Sequence, residues 1–418
     1  MSTTQGAVRE IQSCRISGST HLISVLNLGE QCLTGVFPRD RKQHVTRGPL
    51  ELIWCPDSGL LQLKHSYSLS EMYGDNYGYR SGLNASMVTH LQGKVRGLER
   101  KLPLREGDWV LDIGSNDGTL LKAYSVPCLK RIGMDPTAAK FRSFYPPDVA
   151  VITDFFSADA FLQATGGRRA RIITSIAMFY DLEDPGTFVA DIARTLARDG
   201  IWHFEQSYMP SMLRTNAYDT VCHEHLEYYS LRVIRDLLAA HGLRVINVQM
   251  NGINGGSIAV TACHADSDMA SENSIVEWTL QQEENWGLNS SKPYRQFEDR
   301  VFKHRSDLQR LLWSLVNDGK RVLGYGASTK GNVLLQFCRF GPDEIPAIAE
   351  VNPEKFGAYT PGTFIPIISE AEAKAMRPDY FLVLPWHFKA NIVEREKEYL
   401  AAGGKLIFPL PEIEIVGD

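Results

Sequence analysis

The sequence predicts an α/β protein in three parts: a Rossmann-like doubly wound domain at its centre, a small knuckle-like lobe before it and a second, smaller Rossmann-like α/β domain after it. Three observations lead there. From about residue 101 to 262, the short apolar runs WVLDIG, RIGMD, ARIITSIAMF and GIWHFEQ alternate with amphipathic segments, as in a parallel sheet wrapped by helices. After a polar helical stretch over 268–318 the alternation restarts in KRVLGYGAS, AIAEVNP, DYFLVLP and KLIFPLP. Residues 1–66 break the pattern, being rich in Gly, Pro and polar residues around HLISVLNL and PLELIWC, which read as small strands and turns. The boundaries fall at 1–66, 67–265 and 266–418.

Taken in order, SMVTHLQGKVRGLERKL spaces its apolar residues as a helix with a basic outer face. Within the central domain AFLQATG, PGTFVADIARTLARDG and LRVIRDLLAAHG read as helices. RVINVQMNGINGGSIAVTACH reads as a closing hairpin, with glycine-rich turn chemistry between two apolar runs.

Composition narrows the class. The 418 residues are 44% hydrophobic and 22% charged, which excludes a disordered tail, a collagen-like repeat and a disulfide mini-scaffold. A net charge of -5 leaves no global basic field for nucleic acid or an anionic membrane. No apolar run approaches the roughly 20 residues of a membrane span, and MSTTQGAVREIQ lacks the pattern of a signal peptide. Seven scattered cysteines do not form a disulfide framework. The expectation is a cytoplasmic monomer with reduced thiols.

The strongest local signal is VLDIGSNDGTLL, a strand running through Gly114 and Gly118 into an expected helix. A phosphate-binding fingerprint would read G-x-G-x-x-G, and Ser115 and Asn116 break it. Two acids, Asp112 and Asp117, favour a ligand with a cationic end. S-adenosylmethionine is such a ligand, its ammonium and sulfonium compatible with Asp112, Asn116 and Asp117. Asp135, ending the next strand, is placed to accept both ribose hydroxyls, and Asp154 with Phe155 offers a polar contact and a face for adenine.

A second constellation is YDTVCHEHLEYYS, residues 218–230. His223, Glu224 and His225 do not have the H-E-x-x-H spacing of a zinc site, and suit general acid/base work with an imidazole tuned near neutral pH. A hydrogen-bonded His/Tyr cluster closing the sheet is the plain structural alternative. The third is GYGASTKGN, where glycines, Ser328, Thr329, Lys330 and Asn332 at a helix start make an anion site suited to a pyrophosphate. A tight helix-entry turn with a solvated lysine is its plain alternative. LPWHF adds an aromatic wall through Trp386. Near the start, Cys14-Arg-Ile-Ser17 and Cys55-Pro-Asp-Ser58 have the spacing of two zinc knuckles. Ser17 and Ser58 stand where sulfurs are needed, so no metal is expected.

These motifs, in this order from about Cys14 to Pro411, resemble the sugar C-methyltransferase family, whose members methylate carbon 3 of nucleotide-linked 4-keto-6-deoxysugars. The resemblance rests on the paired knuckles, YGYRSG, VLDIGSNDG, TDFFS, YDTVCHEHLEYYS, NGGS, GYGASTKGN, PGTFIPI and LPWHF. It implies that His225 is the base, with Glu224 beside it, that Tyr79 donates a hydrogen bond near the sugar, and that Ser328 and Lys330 help hold the nucleotide. Two places depart from the family pattern: Cys222 replaces a Tyr, and Phe179-Tyr180 stands where a His is usual. Tyr180, His223 and Tyr208 are the candidates to replace the missing polar groups. Two other readings stay open: an O- or N-methyltransferase with the same cofactor loop, and a cofactor-binding scaffold of this fold without activity.

Overall fold

A computed structural model describes residues 8–72 and 80–417. The N-terminal lobe is built on a four-stranded antiparallel sheet. Its own strands are β2 (Ile23–Cys32), β3 (Arg47–Trp54) and β4 (Leu61–Leu63), beside the short pair β1 (Val8–Glu10) and β5 (His65–Tyr67). Leu26, Leu28, Leu50, Leu52, Trp54, Leu61 and Leu63 are buried beneath it.

The central domain carries a seven-stranded sheet made of β6 (Trp109–Ile113), β7 (Lys130–Met134), β8 (Val149–Ile152), β9 (Ala170–Ile176), β10 (Leu196–Ser207), β12 (Leu243–Asn251) and β13 (Ser257–His264). The order is β12-β13-β10-β9-β6-β7-β8, parallel except where β13 joins β10 and β12. The strand order reverses between the parallel neighbours β6 and β9, and ligands of open α/β sheets bind at such a switch point. β6 is buried from Val110 to Ile113, as a central parallel strand covered on both faces requires. The missing strand, β11 (Glu227–Tyr228), leaves this domain and adds to β4 of the N-terminal lobe.

The third part is a six-stranded sheet of β14 (Val322–Tyr325), β15 (Ile348–Glu350), β16 (Ile367–Ser369), β17 (Tyr380–Val383), β18 (Lys405–Phe408) and β19 (Glu414–Val416). Its order, β16-β15-β14-β17-β18-β19, is parallel up to the antiparallel β19. The fold is therefore the mixed α/β architecture that the alternation predicts.

Two predicted elements end differently. No α-helix follows Gly118; the chain makes only a 3-10 turn at Leu121–Ala123. Tertiary contacts prevail there, because Arg131 takes the Leu121 carbonyl at 2.9 Å and the Glu99 carboxylate ties down the Ser125 amide at 2.7 Å. The helix Pro185–Thr195 starts as predicted, with Asp184 capping Thr187 N at 2.9 Å, but stops before LARDG. Leu196 has already paired with Ala170 of β9.

The lobes on either side of the central domain share one apolar core. It runs from the N-terminal sheet through residues 209–228 and the long helix Lys292–Asn317 into the C-terminal sheet. A polar latch reinforces the contact. The Gln336 side chain pairs with the Cys32 backbone on both sides, accepting from its N–H at 2.7 Å and donating to its carbonyl at 3.2 Å. One helical turn earlier, Asn332 donates to the Thr34 carbonyl at 2.7 Å. Gln336→Ala removes two bonds from a half-buried backbone and is expected to lower the unfolding free energy by about 2 kcal/mol. Urea titration measures this; an unchanged midpoint would rule out the latch.

Candidate active site

Above the carboxyl ends of β6, β7 and β9 lies a cavity of about 420 Å³, within the range of small-ligand sites. On one side stands the loop after β6. Gly114, Asn116 and Gly118 all adopt left-handed backbone conformations, with φ of 69°, 50° and 72°. At Gly114 a β-carbon would come within 3.0 Å of the Met178 side chain, so the loop passes close under that residue.

Asp112, Gly114, Asn116, Asp135 and Phe155 line the cavity; Asp117 and Asp154 do not. Asp135 braces the loop it faces. One carboxylate oxygen accepts from Asn116 N at 2.8 Å, the other from Thr137 N and its hydroxyl, both at 2.6 Å. Asp117 turns away, accepting from Gly82 N at 3.0 Å and from Thr119. Together with Asn116, which accepts from Ser81 N at 2.9 Å, it holds the segment after Tyr79 against the cofactor loop. Tyr79 itself lies outside the described residues. Asp154 is exposed and caps its neighbour's amide, Phe155 N, at 2.7 Å. Asp112 is buried and takes one short bond from Thr174 Oγ1 at 2.6 Å; burial, aided by the nearby Asp135, pushes its carboxyl up to about 7.

Across the cavity stands the turn 222–225. Cys222, Glu224 and His225 line it, together with Tyr180, whose ring centre is 4.2 Å from that of His225. His225 Nδ1 lies 2.9 Å from the Thr220 carbonyl. A carbonyl only accepts, so Nδ1 carries the proton and Nε2 holds the lone pair. Burial, with Lys330's charge behind it, pushes this imidazole down to about 3, which corrects the near-neutral value expected from the sequence. Burial also raises the Glu224 carboxyl and the Cys222 thiol. Thr34 and Gly35 of the N-terminal lobe press on Glu224: a β-carbon on Gly35 would sit 2.5 Å from its Oε1.

His223 faces the other way. The turn, closed by His225 N donating to the Cys222 carbonyl at 3.1 Å, carries the His223 ring outward to pack edge-on against Tyr67 at 4.6 Å, away from the cavity. Phe179, in the place of the family's His, is fully buried and stacked on Tyr229.

The substrate-binding set is largely redrawn. Thr329 and Lys330 reach the cavity, whereas Ser328, Asn332, Tyr208 and Trp386 do not line it. Ser328 caps its helix by accepting from Gly331 N at 3.0 Å. Asn332 belongs to the latch, and Tyr208 donates to buried Glu283 at 2.6 Å. Trp386 donates to Asp219 at 2.8 Å. Lys330 is half-buried, and desolvation lowers its pKa, with Asp219 opposing the fall. The sequence reading missed Glu205, which lines the cavity at the end of β10 and accepts from His90 and Lys94, both at 2.6 Å. Burial disfavours its charge, yet those two partners hold it down to about 2. An acid ending a buried strand was the available signal.

Three family models cover the chain: a domain described as zinc binding over residues 14–73, a methyltransferase domain over 87–248, and a C-methyltransferase C-terminal domain over 252–411. The C-methyltransferase NovU of Streptomyces niveus is 32% identical over 415 residues, spanning 99% of this chain and 98% of its own. The chain belongs to this C-methyltransferase family. It is an S-adenosylmethionine-dependent methyltransferase. Among solved structures, a methyltransferase in complex with the Haloferax volcanii Trm112 activator is 16% identical, over 44% of this chain and 94% of its own, with a TM-score of 0.35. The magnesium protoporphyrin IX methyltransferase of Synechocystis PCC 6803 is 14% identical, over 42% and 79%, with a TM-score of 0.31. Similarities of that size decide nothing about substrate. No helix among the described residues is long and apolar enough to cross a membrane.

The cavity fits the cofactor of this enzyme class, because its buried, raised carboxyl at Asp112 gains most from a cation. An ammonium beside Asp112 requires the ionised form, so cofactor affinity should weaken as pH falls below about 7, by about tenfold per unit once the acid form dominates. Above that pH it should level off. Calorimetric titration of wild type and Asp112→Asn checks this. Identical pH profiles for the two proteins would remove Asp112 from the cofactor site.

Proposed function

We propose that this enzyme methylates carbon 3 of a nucleotide-linked 4-keto-6-deoxysugar, with His225 removing the proton from that carbon. The observation that carries the reading is the fixed tautomer of His225, an imidazole with Nε2 as its basic nitrogen in the same cavity as the Asp112–Asn116 loop. An oxygen or nitrogen nucleophile needs no base of this kind at carbon. A ketone at C4 acidifies the adjacent C–H, and its removal leaves an enolate with charge on the C4 oxygen.

An imidazole depressed to about 3 is a weak base by itself. It is also neutral, and therefore able to accept a proton, across the physiological range. Lys330 supplies the compensation. Its charge, which helps depress the imidazolium, favours an anion formed in the same cavity. This moves Lys330 from the pyrophosphate role read in its motif to the C4 oxygen. Asp112, Asn116 and Asp135 would hold S-adenosylmethionine, which when bound would supply an electrophilic methyl group. Tyr180 packs on the His225 ring and limits its rotation. The remaining contacts position: Glu224 is pinned by Gly35, and Asp219 is fixed by Trp386.

The test is a panel of nucleotide-linked 4-keto-6-deoxysugars incubated with S-adenosylmethionine, with the new methyl located by NMR. A methyl on C3 is expected. His225→Ala should lose at least about a hundredfold in kcat with cofactor affinity unchanged, and Lys330→Met should lower kcat more than it raises KM. A methyl on oxygen, or a His225→Ala enzyme near the wild-type rate, would overturn the proposal.

A further inference from the structure

The domain model over residues 14–73 is one described as zinc binding, and the side chains present do not fit that metal. What they build instead is specific. The turns Cys14–Gly18 and Cys55–Gly59 are copies of each other. In both, the glycine N–H donates to the cysteine carbonyl, at 2.9 and 2.8 Å, and the glycine is left-handed, with φ of 68° and 79°. In both, the cysteine N–H donates to the carbonyl just beyond the turn, Ser19 at 2.8 Å and Leu60 at 2.9 Å.

The two turns face each other with their side chains crossed. Cys14 Sγ lies 3.3 Å from Ser58 Oγ, and Ser17 Oγ lies 3.7 Å from Cys55 Sγ. Each knuckle thus offers one sulfur and one oxygen to its opposite. With zinc–sulfur bonds of about 2.3 Å, neighbouring vertices of a zinc tetrahedron are about 3.8 Å apart. The crossed pairs are therefore near metal-site spacing with nothing but hydrogen bonds between them. Two neutral hydroxyls cannot replace two thiolates around zinc, and among the described residues no group of three or more His, Cys, Asp or Glu forms a metal site.

Other contacts close the lobe. Ser19 donates to Asp57 across the knuckles at 2.5 Å, and Arg15 donates to the Leu63 carbonyl at 2.6 Å and to Ser66 at 2.9 Å. Both cysteines are buried, whereas Ser58 is half-buried and Ser17 exposed, so each pair reaches from the lobe's interior toward its surface.

We infer that this enzyme's N-terminal lobe folds without metal, its knuckles closed by crossed thiol–hydroxyl hydrogen bonds, and that exchanging the two serine oxygens for sulfur creates a zinc site. The experiment measures zinc per chain by mass spectrometry, and the melting temperature with and without a zinc chelator. It compares the full-length wild type with Ser17→Cys/Ser58→Cys, both produced with added zinc. The wild type should carry no stoichiometric zinc and melt identically with chelator. The double variant should hold about one zinc per chain and lose melting temperature when the chelator is added. A wild type with one zinc per chain, whose removal lowers its melting temperature, would overturn the inference. So would a folded double variant that takes up no zinc. Should the double variant fail to fold, the wild-type arm decides alone, together with Ser17→Ala/Ser58→Ala. That variant should melt lower than wild type with its zinc content unchanged; an unaltered melting temperature would refute the hydrogen-bonded closure.

Discussion

The structure depends on one short pairing. Glu227 and Tyr228 leave the central domain as β11 and pair with Gln62 and Leu61 of β4, and Leu63 N adds a bond to the Leu226 carbonyl at 2.8 Å. The N-terminal lobe therefore has its fourth strand only when the central domain has folded far enough to supply it. In turn, the residues just before β11, Cys222 to His225, are fixed at the cavity because the strand cannot slide. A slip of one residue in β11 would turn Glu227 and Tyr228 to opposite faces and carry the turn before them off the cavity. Tyr180 secures the same turn from the opposite side, its carbonyl accepting from Leu226 N at 2.7 Å. The latch through Gln336 and Asn332 then brings the third part up, and with it Lys330. No one part of the chain holds the whole constellation.

Burial sets the electrostatics of that junction. Asp112 and Glu224 have raised pKa values, while those of Lys330 and His225 are lowered, so desolvation pushes all four toward their neutral forms. Glu205 is the contrast: with His90 and Lys94 as direct partners it stays ionised at the edge of the same cavity. A cavity in that condition gains from ligands that bring the missing charges. In the proposed reaction a cationic methyl donor answers Asp112, and an anion developing on the acceptor answers Lys330. Binding and reaction then use the desolvation that the fold has already imposed.

Much of this was legible in the sequence. The strands of both Rossmann-like sheets follow from apolar runs, and Asp112, Asp135 and His225 follow from their places at strand ends and in a motif. Side-chain direction was much less legible. Asn332, Tyr208 and Trp386 have the composition of ligand contacts, yet their partners are Thr34, Glu283 and Asp219, brought from 298, 75 and 167 residues away. Nothing local distinguishes a polar group facing a cavity from one facing a distant neighbour. The two-residue β11 is too short for any periodicity to reveal. The expected helix after Gly118 gave way to contacts from Arg131 and Glu99, and LARDG kept a helical pattern while its first residue had already joined a strand.

The central claim is that His225, fixed by this junction, takes a proton from carbon. Deuterium uptake at C3 of the keto sugar, followed in heavy water without S-adenosylmethionine, tests it before any methyl is transferred. Exchange catalysed by the wild type and lost in His225→Ala, with the sugar nucleotide still bound, is the predicted result. Exchange at the wild-type rate in His225→Ala would contradict it.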